Sequence, residues 1–233
     1  FTLLRPVRGA TEVGWYSAGY RYLDAFNIVP SMFTLSLFPV LSRQAEAQDR
    51  SRVAATYHFA LKLLAASALP LTVAVTFLAE PMVAILGGSR FLPYGAIALR
   101  ILAWSMPIGW MNSLTNYMLI SLRQERGLTI SFMAAVAFNV LLNLIFLAPF
   151  GYIGAAGVTI ASETFVCILF YHWIKRAIGP VPWLELLWRP WLGAGLMLAA
   201  TAALWPISPV LALPVGLLLY LGLLIATRTF NPA

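Results

Sequence analysis

The stretch Gly-Leu-Thr-Ile-Ser-Phe-Met-Ala-Ala-Val-Ala-Phe-Asn-Val-Leu-Leu-Asn-Leu-Ile-Phe-Leu-Ala, residues 127 to 148, carries no charged side chain. Coiled as a helix at ~1.5 Å per residue it is about 33 Å long, enough to cross a hydrocarbon core of ~30 Å. Lipid offers no hydrogen-bond partner to the backbone, so a stretch of this kind satisfies its own amides as a helix. Reading outward, charge-poor stretches of similar reach recur at about 13–41, 53–79, 93–120, 154–174, 190–205 and 209–227. They predict an all-α polytopic membrane bundle of about seven transmembrane helices, a single transmembrane domain over residues 1–233. The sixth span is the shortest, bounded by Arg189 and Pro190 on one side and Pro206 on the other, with a start at Pro190 or earlier, near Trp183.

Composition agrees with that reading. Of 233 residues 61% are hydrophobic and 10% charged, and the mean hydropathy is +0.84, against ~45–50% apolar in soluble domains. Soluble enzyme classes are excluded first. The net charge of +7 does not indicate nucleic acid, because the basic residues sit singly or in pairs between apolar runs; that is the pattern of membrane loops. The single cysteine, Cys167, excludes an internal disulfide and a multi-cysteine metal site. No charged n-region or cleavage site follows Phe1, which predicts no signal peptide and a chain that is a fragment.

Sidedness follows from Lys and Arg, which concentrate in cytoplasmic loops. One set of connections holds Arg43, Arg50, Arg52, Arg123, Arg126, Lys175, Arg176, Arg189 and Arg228, and the other only Arg5, Arg8 and Arg90. The carboxyl end is therefore expected in the cytoplasm and Phe1 on the outer face. The longest polar connection, about 42–52, is too short to fold into a catalytic domain.

Ionisable side chains within the spans are the default functional candidates, since each costs ~2.5–3.5 kcal/mol to insert. They are Arg21 and Asp24 in the first span, Lys62 in the second, Arg100 in the third and Glu163 in the fifth. Arg21, Arg100 and Glu163 lie at similar depth and could share one layer. The competing arrangement pairs Arg21 with Asp24 and Arg100 with Glu163 for packing alone, with Lys62 snorkelling inward. Tyr20, Asp24, Asn27, Ser31 and Thr34 fall on one helical face beside Pro30, a polar stripe that must meet water or another helix. Asn112 and Asn116 in the third span, and Asn139 and Asn143 in the fourth, suit interhelical hydrogen bonds. His58 and His172 lack partners at metal-ligand spacing. No nucleophile elbow, zincin, P-loop or dinucleotide fingerprint occurs, so neither a catalytic residue nor a cofactor or metal is assigned.

Residues 12–21 (Glu-Val-Gly-Trp-Tyr-Ser-Ala-Gly-Tyr-Arg), 38–43 (Phe-Pro-Val-Leu-Ser-Arg) and 99–107 (Leu-Arg-Ile-Leu-Ala-Trp-Ser-Met-Pro) resemble the polysaccharide biosynthesis flippases. So do Asn139-x3-Asn143, the following Pro149-Phe-Gly-Tyr-Ile-Gly-Ala-Ala-Gly, and Ser162-Glu163. These belong to the multidrug, oligosaccharidyl-lipid and polysaccharide exporter superfamily, whose chains form two helical lobes. The resemblance implies the C-terminal lobe, with residues 1–4 ending the preceding helix. It implies transport of a polyprenyl-pyrophosphate-linked oligosaccharide, such as an O-antigen unit, across the inner membrane by alternating access. Its partners would be that lipid-linked oligosaccharide, membrane lipid and the missing N-terminal lobe. Arg21 and Arg100 would then meet the pyrophosphate, Asp24 and Glu163 would tune them or carry a coupling proton, and Asn27, Asn112 and Asn116 would face sugar hydroxyls. The alternatives are ion-coupled efflux of organic cations, which an acidic cavity would favour, a membrane enzyme of glycan assembly, which needs a long outer loop, and a non-transporting scaffold.

Overall fold

The computed structural model describes residues 4–229. Residues 1–3, assigned above to the end of a preceding helix, lie outside them. The chain runs α1 (Leu4–Phe26), α2 (Ile28–Glu46), α3 (Arg50–Gly87), a single 3-10 turn (Ser89–Phe91), α4 (Tyr94–Ala103), α5 (Met106–Ser121), α6 (Glu125–Ile178), α7 (Trp183–Leu204) and α8 (Pro209–Ala226). No strand occurs among the described residues. Four helical segments, 6–46, 50–87, 125–178 and 209–226, are long and apolar enough to cross a membrane. α7 begins at Trp183 rather than at Pro190, which sits inside it.

Most helices contain proline, and proline removes the amide that would bond the carbonyl four residues earlier. Three of these freed or broken positions are where the bundle is tied together. Pro70 leaves the Ala66 carbonyl of α3 without its helical donor, and the Tyr220 hydroxyl of α8 donates to it at 2.8 Å. Pro107 does the same to Ala103, and α4 stops there; the buried Thr72 hydroxyl of α3 donates to that carbonyl at 3.2 Å.

The third break is in α6. Pro149 precedes Gly151, whose φ of 54° and ψ of −135° lie outside the helical region. A β-carbon is strongly disfavoured there. The break folds the 54-residue helix into two rods and strips helical partners from the Leu147 and Ala148 carbonyls and the Tyr152 amide. α1 supplies replacements. Arg8 donates from Nε to the Leu147 carbonyl at 3.2 Å and from its terminal nitrogen to that of Ala148. The Glu12 carboxylate accepts from the Tyr152 amide at 2.9 Å, with Arg8 and Glu12 3.9 Å apart. Broken backbone at membrane depth persists only where neighbouring groups complete it in this way.

The main core runs through α1 to α6, with Trp110, Tyr57, Phe170, Leu61, Leu99 and Leu102 fully enclosed. α1 and α4 approach closely because Gly19 faces the backbone of Leu99, where a β-carbon would lie 2.9 Å from the Leu99 nitrogen. α7 and α8 form a hairpin that joins the rest through a smaller cluster, in which Ala194, Met197, Tyr220 and Leu224 pack on Ala66, Leu69 and Val73 of α3. Large apolar side chains such as Ile85, Met133, Leu144, Val210 and Ile225 remain on the outside. A water-facing surface of that kind would aggregate, whereas lipid accepts it.

Candidate functional site

The polar side chains within the helices separate into an enclosed group and an exposed one. α1 and the second rod of α6 run side by side. Glu12 meets Tyr152, and one turn on the Tyr16 hydroxyl lies 3.0 Å from that of Thr159. A further turn brings Tyr20, half-buried and stacked on Tyr16, into electrostatic reach of Asp24 and Glu163.

Glu163 is held from the other side by α5. Asn112, only 6% exposed, donates to the Glu163 carboxylate at 2.8 Å and to its backbone carbonyl at 2.9 Å. Gly109, one turn earlier on α5, leaves room for that carboxylate, 3.6 Å from where its β-carbon would be. Asn116, one turn later, keeps a buried Oδ1 with no hydrogen-bond partner among the described residues. Asn112 and Glu163 thus sit at one seam, with Tyr20 and Asp24 on the neighbouring helix.

Arg100 is not at that seam. Its guanidinium bonds Glu80 of α3 at 2.8 Å and its Nε donates to the Thr76 carbonyl at 3.1 Å. The layer of Arg21, Arg100 and Glu163 that equal depth suggested is therefore not assembled, because α4 turns Arg100 toward α3. Glu80 lies just past the end of the second apolar run, where a carboxylate reads as interfacial, so the sequence carries no sign of this pair. Lys62 donates to the Thr229 carbonyl at 2.8 Å and ties α3 to the end of α8.

Arg21, Asp24 and Asn27 are exposed, as is Ser31 one turn further. Arg21 and Asp24 form no ion pair with each other or with any described residue. α1 gives way to α2 at Asn27, next to Phe26, whose carbonyl lies four residues ahead of the donor lost at Pro30. The stripe is not uniform, since Thr34 is fully buried with its hydroxyl on the Pro30 carbonyl. Asn139 and Asn143 have a packing role: Asn139 donates to the Ser162 hydroxyl at 2.8 Å and Asn143 to Asn139 Oδ1 at 3.0 Å, clasping the two rods of α6. No group of histidine, cysteine or carboxylate side chains able to hold a metal occurs among the described residues.

An all-helical bundle with broken helices, a largely apolar exterior and a polar face on one helix defines a polytopic membrane protein. The family model described as "Lipid II flippase MurJ" matches residues 16–224, and the chain belongs to that family. A solved structure, lipid II flippase MurJ in an inward closed conformation, superposes with a TM-score of 0.74 at 19% sequence identity, covering 93% of this chain and 47% of that one. The chain thus spans about half the length of that relative, whose fold it shares. No curated protein sequence matches it.

Proposed function

We propose that this chain is the C-terminal lobe of a flippase that carries a polyprenyl-pyrophosphate-linked glycan precursor from the inner to the outer leaflet of the cytoplasmic membrane, its carboxyl end in the cytoplasm. The family match over residues 16–224 carries this reading; lipid II, in the family's name, is one precursor of this class and a lipid-linked unit of surface polysaccharide is another. The physical task is to shield a polar, doubly phosphorylated head from hydrocarbon while the prenyl tail stays in it. Arg21, Asp24 and Asn27 are polar, exposed and set at membrane depth. That face suits a water-filled path closed by a second lobe, because lipid does not tolerate it. Arg21 supplies the forked donors that match phosphate oxygens. Asn27 and Asn116 offer amides to sugar hydroxyls. Asp24 and Glu163 offer carboxylates that can balance the cation or take up a proton as the lobes rock. Arg100, engaged by Glu80, supports the helices that carry the face and does not itself meet the pyrophosphate.

The test is depletion of the gene in its host with the two leaflets assayed separately. Lipid-linked precursor should build up on the inner leaflet while polymer outside falls. A second reading, cation-coupled efflux, draws on the two carboxylates near Tyr20. Normal precursor distribution with altered sensitivity to cationic drugs would replace the flippase reading with that one.

A further inference from the structure

At the end of the bundle that charge counting places in the cytoplasm, the C-terminal ends of α2 and α5, the start of α3 and the last turn of α6 surround a cavity of about 690 Å³. Arg50, Arg123 and Arg176, from three different parts of the chain, line it, with Gln48 and Gln124 between them and Glu46 as its one acidic group among the described residues. None of the three arginines is in an ion pair with a described residue. The nearest carboxylate in sequence, Asp49, is already taken: it caps the Arg52 amide at 3.0 Å and pairs with the Arg52 side chain at 3.1 Å.

The placement of Arg50 sets this cluster apart from the scattered loop cations that sidedness alone requires. Arg50 stands in the first turn of α3, where no acidic residue occurs and where the helix dipole disfavours a cation. Gln48 and Arg123, each with φ of 56°, end α2 and α5 as left-handed helix caps, the Asp49 amide bonding the Gln44 carbonyl and the Gln124 amide the Leu119 carbonyl. Three guanidiniums without ion pairs among the described residues, brought by three segments of the chain to line one cavity at the membrane surface, have the chemistry of an anion site.

We propose that this cavity binds a phosphate-bearing anion, a lipid headgroup or a free phosphate compound, through Arg50, Arg123 and Arg176. The site is separate from the α1 face and does not depend on what is transported. It would couple the closed ends of four helices to the occupancy of one ligand.

The test uses the purified chain, delipidated in neutral detergent and titrated by native mass spectrometry with cardiolipin, with phosphatidylcholine and with inorganic pyrophosphate. The wild type should hold cardiolipin in preference to phosphatidylcholine, and R50Q/R123Q/R176Q should bind it at least about tenfold more weakly. R90Q, on the opposite end, should match the wild type. Displacement of cardiolipin by pyrophosphate would assign the site to phosphate in either source, and failure to displace it would restrict the site to the headgroup. Should the triple variant lose its thermal transition, R123Q alone carries the test, with a smaller loss of the same sign. Equal cardiolipin binding by folded variants and wild type, or no preference over phosphatidylcholine, would overturn the proposal.

Discussion

Two polar regions at membrane depth, one along α1 and one between α5 and α6, obey different rules. Between α5 and α6, Asn112 and Glu163 are turned inward and bonded to each other at 2.8 Å. Along α1, Arg21, Asp24 and Asn27 are turned outward, and Arg21 and Asp24 have no ion-pair partner among the described residues. The first arrangement is how a membrane bundle accommodates polar groups it must bury, each satisfied by a neighbour. The second is costly unless water, a ligand or another protein surface covers it. The difference teaches that an intramembrane charge becomes informative about transport only once its partners are known. Arg100 shows the point from the other side, being as ionisable as Arg21 but already neutralised by Glu80.

The comparison can be broken at its most consequential place by Arg21→Ala. Loss of the exposed forked cation beside Asp24 and Asn27 should reduce precursor flipping by roughly a hundredfold or more, on the scale of ~2–5 kcal/mol for a desolvated charge contact. Membrane insertion and the thermal midpoint in detergent should stay near wild type, because nothing in the fold leans on that side chain. Wild-type precursor export by this variant would remove Arg21 from the path.

Asn112→Ala probes the enclosed region and should give the opposite profile. It leaves a half-buried carboxylate without its amide donor, at about 1–3 kcal/mol. A lowered melting temperature is the expected readout, with transport per folded molecule falling far less than for Arg21→Ala. A variant as stable as wild type but inactive would move Asn112 from packing to transport.

The smallest effect sharpens the contrast at the edge of the bundle. Tyr220→Phe removes one hydroxyl from the Ala66 carbonyl that Pro70 frees, and an interhelical bond of this type is worth ~0.6 kcal/mol on average in a membrane. A slight drop in midpoint, with faster amide exchange at the α7–α8 hairpin, should be the whole consequence.

Much of the architecture was legible in the chain because the bilayer leaves few options. An apolar run such as 127–148 has no stable state in hydrocarbon except a helix, and Pro149 with Gly151 announces that the helix bends. Pro30 marks the step from α1 to α2, but Pro39, Pro70, Pro81, Pro190 and Pro214 lie inside continuous helices, so proline alone does not say where a helix breaks. The candidate site was legible only in its ingredients. Arg21, Asp24, Asn27, Asn112 and Glu163 stand out as polar groups at membrane depth, but Arg100, similar in depth to Glu163, pairs with Glu80, and Arg8, one of the loop cations by sequence, completes the break in α6. Nothing local distinguishes these cases, because depth along a helix says nothing about the direction a side chain faces once neighbouring helices are placed.

The sequence by itself determined the solvent of this protein and its helical class, because composition and backbone chemistry act locally and lipid enforces them. Only the tertiary structure decided which polar groups satisfy one another and which are left for a ligand. That choice depends on contacts such as Arg8 with Leu147, Asn112 with Glu163 and Tyr220 with Ala66, between residues far apart in the chain, and those contacts exist only after the helices have packed.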